Sequence, residues 1–414
     1  MTMFSQWKSS RIISRLEHAA SGIVVAWAIF APGSAQAETR AWINTSLNAE
    51  IATNPYLQSG ANTSASSGTL AVSPGVKFID SVKTLSLTGD YRHREFSRRY
   101  RSSNDFSVNA SIIQKLSPRL GYNADLGVNS SVVGANDLLT FGANPTNGGL
   151  FPPLPGDIAF NALRQRRQAI SGSVGLNYTA NSRDSFQTQG GFSLVRFPAG
   201  STAAEYDNAN GSFGYNRVLN SRTSVGLNVS ISRADYRRTR LGDATTISPQ
   251  VTFSTKFGSS WSLSASLGVS HSTVSGLVGK SGQDSAAGRL TLCNVTSRTK
   301  FCLLGSRSVQ PTSFGSTVRP QTSVGISYNV RLDAKSRVDV DANLSRSGQI
   351  NQGNIVTGGS ADYGQASLTY SRRVSQRFQG FLTASYADSY NDPLPRKANS
   401  SLSVGISYAF GDMR

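Results

Sequence analysis

Proton-transfer chemistry in this chain would have to rest on two histidines beyond the first 37 residues, His93 and His271. His271 stands between Ser270 and Ser272, where an imidazole base would serve a serine nucleophile. His93 is followed two residues later by Glu95, on the same face of any strand. Serine recurs throughout the chain, so neither neighbourhood stands out as catalytic. There is no glycine loop of the kind that cradles phosphate. Cys293 and Cys302 are the only cysteines, and no histidine lies within twenty residues of either. In an exported protein such a pair reads as a local disulfide and not as a metal centre. The expectation is a protein that is not an enzyme and needs no cofactor and no metal.

The charged residues offer different chemistry. The net charge is +18, and 32 of the 41 basic residues are arginine. Guanidinium groups stay ionised and grip carboxylates or phosphates through a two-pronged fork. One set clusters at what the pattern below makes an outer rim: Arg98, Arg99 and Arg101, then Arg233, Arg237, Arg238 and Arg240. These suit lipopolysaccharide phosphates, or equally a funnel for anionic solutes. A second set falls on the polar parity of the strands: Arg92, Arg94, Arg119, Asp125, Arg167, Lys256, Asp339 and Asp341. These are candidates for lining a pore.

The elements that must position these residues are strands. Thr223, Val225, Leu227, Val229 and Ile231 alternate with Ser224, Gly226, Asn228 and Ser230. The same period recurs at 261–269, 322–330, 338–344 and 402–410. Period two puts apolar side chains on one face and polar ones on the other. The segments run to about ten to fourteen residues, the length of a tilted membrane-crossing strand rather than a soluble one. Short turns alternate with long links, the longest at 131–165 and 274–316. This pattern fits an all-β, antiparallel, up-and-down transmembrane barrel of about sixteen strands, with fourteen to eighteen allowed. Lipid imposes closure, because every backbone N–H and C=O in hydrocarbon needs an internal partner. Only 15% of residues are charged and no long apolar helix occurs, which argues against a soluble helical enzyme. Residues 143–156, rich in Gly and Pro, suit either a constriction loop or a surface loop.

Residues 1–37 read as an export signal: Lys8, Arg11 and Arg15, an apolar run from Gly22 to Ala31, and Ser34–Ala37 as a cleavage site. The barrel would then occupy 38–414. Export removes nucleic acid as a partner for the positive charge.

Ser403-Val404-Gly405-Ile406-Ser407-Tyr408-Ala409-Phe410 resembles the C-terminal assembly signal of bacterial outer-membrane proteins, with Ser403, Gly405, Tyr408 and Phe410 in its places. Phe410 is followed by four further residues, a departure from that signal. The chain also resembles the β-barrel porin family of proteobacteria, through Ile51–Leu57, Ser73–Val76, Thr84–Tyr91 and Leu116–Leu120. The resemblance implies a passive channel in the cell outer membrane, in some cases encoded with polysaccharide-secretion genes. Implied partners are outer-membrane lipids, lipopolysaccharide and the outer-membrane assembly machinery, with a homo-oligomer or polysaccharide-secretion proteins also open. The expected function is passage of small anionic solutes. A component for secreting an acidic exopolysaccharide, and an outer-membrane enzyme or adhesin, are the alternatives.

Overall fold

The computed structural model describes residues 38–132, 164–201, 203–237, 243–276, 279–312, 317–348, 350–352, 355–357, 360–390 and 396–412. The export signal, most of the link 131–165, and Arg238 and Arg240 therefore lie outside the described residues.

The chain opens with β1 (Glu38–Ala52), β2 (Ala65–Ile79), β3 (Lys83–Phe96), β4 (Ser103–Lys115) and β5 (Leu120–Val132). It continues with β6 (Arg166–Thr179), β7 (Asp184–Arg196), β8 (Tyr206–Val218), β9 (Thr223–Tyr236) and β10 (Ala244–Phe257). Next come β11 (Trp261–Gly276), β12 (Gly279–Val295), β13 (Thr299–Thr312), β14 (Thr317–Arg331) and β15 (Ser336–Ser347). A small separate hairpin, β16 (Ile350–Gln352) and β17 (Ile355–Thr357), precedes β18 (Ala361–Arg373), β19 (Phe378–Tyr390) and β20 (Asn399–Gly411).

Leaving that hairpin aside, the strands form one sheet of eighteen. Each pairs antiparallel with its neighbours in sequence, and β1 pairs β20 from Trp42↔Gly411 to Ala52↔Ser401. The sheet therefore closes on itself as a barrel, which is how a strand structure satisfies its backbone in lipid.

The strand count lies at the top of the expected range because 274–316 is not the long loop the sequence suggested. It holds β12 and β13, joined by a tight turn at 296–298. The reason it reads as a loop is compositional. The outward parity of β12 begins Lys280, Gly282, Asp284, Ala286 and Gly288, and only Leu290 and Leu292 supply aliphatic bulk.

Register divides every strand between two environments. In β11, Leu263, Leu267 and Val269 face out, with Leu267 73% exposed, while Ser262, Ser264, Ser266, Ser270 and Ser272 face in. Gly405 is required by close packing: a Cβ there would come within 2.2 Å of the Phe381 ring and 2.8 Å of the Leu47 carbonyl oxygen.

Candidate functional site

The inner wall is the candidate site. Its register follows from the ladders: Asp90, Arg92 and Arg94 of β3 stand opposite Ser107, Asp105 and Ser103 of β4. Asp125 of β5 stands opposite Ser111 and Ser173, and Arg167 of β6 opposite Ser131. Lys256 is on the inward parity of β10, and Asp339 and Asp341 of β15 face Asn329 and Ser327. Seven of the eight pore-lining candidates thus share the inner surface.

Arg119 does not. It lies in the turn between β4 and β5, exposed, because Ser117 Oγ accepts the Arg119 and Leu120 amides and bends the chain before β5 begins.

Among the described residues, that turn is one of six of the same build at the short-turn end, a pattern the sequence reading missed; Ser201, which accepts the Ala203 amide at 3.0 Å, repeats the bond among the long links without a basic donor and lies outside this set. A Ser, Thr, Asn or Asp side chain accepts the backbone N–H two residues on: Ser117, Asn181, Asn220, Thr296, Asp333 and Ser375. Such turns are a standard use of these short polar side chains. The residue at the donating position is basic every time: Arg119, Arg183, Arg222, Arg298, Lys335 and Arg377. All six are exposed and all lie at the short-turn end of the barrel. The signal was available in the sequence as a recurring polar-x-basic triplet between strands. At Asp333 the Lys335 and Ser336 amides, 2.6 and 2.7 Å away, hold the carboxyl below its usual range.

The two ends of the lumen differ. At the long-link end the inward side chains are buried: Glu50, Arg94, Asp105, Arg319, Gln321 and Asn343. Asp105 accepts the Val132 amide at 2.9 Å and lies 3.9 Å from Arg166. Lower down, Asp90 pairs with Arg92 at 2.9 Å and accepts the Ser73 hydroxyl at 2.7 Å. At the short-turn end Ile113, Gln187 and Lys256 are exposed into the interior. Asp339 pairs there with Arg337 at 2.8 Å.

The upper mouth also carries an aromatic shelf. Tyr56, Phe96 and Tyr100 pack with ring centroids 5.0–5.8 Å apart, and the Arg164 guanidinium lies 5.3 Å from the Tyr56 centroid and 5.0 Å from that of Tyr100. Burial raises the Tyr100 phenol above its usual pKa. Among the described residues, every non-glycine residue with positive φ is here: Leu57, Asn62, Arg99 and Arg164. Left-handed backbone of this kind costs about 1–3 kcal/mol per residue and tends to mark working parts.

The rim arginines divide by partner. Arg99 donates to the Ala61 and Asn62 carbonyl oxygens, so it clamps the mouth and does not reach outward. Arg98 donates to Ser64 Oγ, while Arg101 is exposed beside them. Arg233 faces out and pairs with Asp235 at 2.9 Å; Arg237 pairs with Asp207, which Arg196 also grips.

The histidines do not meet serine. His271 is on the outward parity of β11 and touches Asp284 at 2.7 Å. Ser270 and Ser272 point the other way, into the wall, where they bond Ser248 and Thr246. His93 also faces out, with Asn104 at 2.7 Å.

Cys293 and Cys302 are joined, as expected. They sit on the lumen side of the β12–β13 ladder, three residues from the short turn, and not in an outer loop.

The outer surface is an apolar belt edged by rings. Tyr178, Phe186 and Tyr215 stack near the short-turn end, as do Phe257 and Trp261, and Tyr408 lies 4.4 Å from Phe410. Ser403 and Gly405 of the same segment face inward. Aromatic girdles around an apolar band are how transmembrane barrels meet the two membrane boundaries. The chain is an outer-membrane β-barrel.

Solved structures of similar shape include Pseudomonas aeruginosa OccK2 (OpdF) in complex with glucuronate, at TM-score 0.47 and 10% identity, covering 90% of this chain and 98% of that one. The outer membrane protein opdK of Pseudomonas aeruginosa matches at TM-score 0.44 and 11% identity, covering 90% and 99%. OpdL of the same organism matches at 0.47 and 9%, again covering 90% and 99%. No family model matches this barrel, and no curated protein matches it.

Proposed function

We propose that this barrel is a passive outer-membrane channel favouring small anionic solutes. The observation that carries the reading is the placement of cations at both ends of a polar-lined interior. Arg92, Arg94, Arg167 and Arg319 face inward in the upper half, and the six turn cations ring the lower opening. Barrels of sixteen to eighteen strands leave an aqueous interior. Charge of one sign at the mouths raises the local concentration of the opposite ion, and low-dielectric walls strengthen the effect. The inner acids Asp90 and Asp339 are paired with Arg92 and Arg337, so each pair carries no net charge and the preference rests on the other inward arginines and the turn cations.

Non-enzymatic function fits the same geometry, since His271 and its serine neighbours occupy opposite faces of one strand. The outward ion pairs of Arg233 and Arg237 also support a rim contact with lipopolysaccharide, each arginine keeping donors beyond its carboxylate.

The test is a planar-bilayer recording under a salt gradient. The expected result is a reversal potential of the sign for anion preference, moving toward zero in the Arg92→Gln/Arg167→Gln variant. Cation preference in the wild type would overturn the reading.

A further inference from the structure

The β12–β13 ladder is short. It holds eight residue pairs, from Gly288↔Arg307 to Val295↔Lys300, whereas β11–β12 holds sixteen and β13–β14 fourteen. Above Gly288, β12 continues for nine residues paired only with β11. Above Arg307, β13 continues for five paired only with β14. The wall is therefore parted between two strands that are each fully formed.

The top of β13–β14 has gone inward. Val309 and Val318 carry the outward parity of their strands, in line with the exposed Val324 and Ile326. They nevertheless pack in one cluster with Val195, Tyr206, Ala234, Tyr236 and Val274. Those five are on the inward parity of β7, β8, β9 and β11. The Thr312 amide at the end of β13 donates to Tyr236 Oη at 3.1 Å, reaching past β10, β11 and β12. The outer face of these upper strand ends is thus seated against the inner face of the wall at β7–β9 and β11.

Sequence accounts for the parting. Pro311 has no N–H to give to a ladder. Gly279, Gly282 and Gly288 give the facing stretch of β12 little side chain to pack against a partner.

We propose that the upper ends of β13 (308–312) and β14 (318–321) act as a gate, and that its open state is reached by extending the β12–β13 ladder upward in the same register. The inference rests on the channel reading. Closed, these strand ends bury Val318 and half-bury Val309 against the inner wall, and the Thr312 amide is bonded to Tyr236. Open, the same valines face outward into the membrane boundary, and the amides and carbonyls above Arg307 find the matching groups of β12. The closed state covers the apolar cluster and leaves the facing edges of β12 and β13 unpaired with each other, whereas the open state pairs those edges except at Pro311 and uncovers the cluster, so each position satisfies what the other gives up and the two are discrete alternatives of the kind that gates use.

The test exploits the register. Extending the ladder brings Ser285 opposite Gln310, both facing the lumen, eight residues from Cys293↔Cys302 and so in the same class of pair as the native disulfide. The full chain carrying Ser285→Cys/Gln310→Cys is oxidised in detergent, its bond mapped by peptide analysis, and its conductance compared with wild type under identical oxidation and reduction. The expected result is an engineered cross-link and a several-fold rise in conductance that reductant reverses. Tyr236→Phe, which keeps the ring but removes the acceptor of the Thr312 amide, should raise the open fraction without any cross-link. A conducting protein in which the cross-link never forms overturns the gate, as does a complete cross-link that leaves conductance unchanged. A cross-link that forms normally in a protein silent in every variant overturns the channel reading, and the gate with it.

Discussion

Cys293 and Cys302 face each other across the β12–β13 ladder with Cα atoms 4.2 Å apart, on the lumen side of two strands that part above them. The bond closes a chain segment with a sequence separation of only nine. Constraining so short a loop in the unfolded chain is worth about 2–3 kcal/mol at most.

Replacing both cysteines by serine should therefore lower the midpoint of denaturant unfolding in detergent by an amount within that limit. Reductant should produce the same shift in the wild type and none in the variant. A midpoint that does not move would show that the ladder needs no help from the bond.

Gly405→Leu should block barrel closure. The new side chain meets both the Phe381 ring and the Leu47 carbonyl, and the backbone atom cannot step aside. Retained heat-modifiable migration on cold gel electrophoresis, the usual sign of an intact barrel, would contradict the packing argument. Phe381→Ala in the same chain should restore little, because the Leu47 contact remains.

The six turn cations should act only where salt screens weakly. Changing Arg119, Arg183, Arg222, Arg298, Lys335 and Arg377 to Gln should reduce anion preference at 0.1 M salt, where the Debye length is about 10 Å. At 1 M, where it is about 3 Å, the effect should largely vanish. An equal effect at both concentrations would point to altered structure instead.

The turn before β15 should weaken in acid. Asp333 is held below its ordinary carboxylate range by two backbone amides. A depressed folded value contributes stability that is fully present above the unfolded value of 3.8 and is lost as pH falls through the folded one. Protection of the Lys335 and Ser336 amides from hydrogen exchange should thus decline below that range, and Asp333→Asn should flatten the dependence. Unchanged protection down to pH 2 would count against the assigned bonds.

Alternation carried most of the fold into the sequence. Strands such as β9 and β11 present aliphatics on one parity and Ser, Gly or Asn on the other, and each was legible alone. The inner residues followed by parity, so Arg92, Arg94, Arg167, Asp339 and Asp341 were legible too. β12 was hidden because its upper outward face lies above the apolar belt and needs no grease there. β13 was hidden by Leu303 and Leu304 side by side, and by Pro311. Arg119 was misplaced because parity continues formally through a tight turn while the chain does not. The inward lean of Val309 and Val318 could not be read at all, since parity assigns a side chain to a face of its strand and says nothing of where the strand itself goes.

The pairing of Ile43 with Phe410 joins the first and last strands of the wall. The strand made first cannot find its second neighbour until the strand made last has been delivered. Until then both terminal strands present an unpaired ladder edge, which closure alone removes. A chain stopped short of β20 would leave the outer edges of both β1 and β19 without a partner, however well its remaining hairpins form.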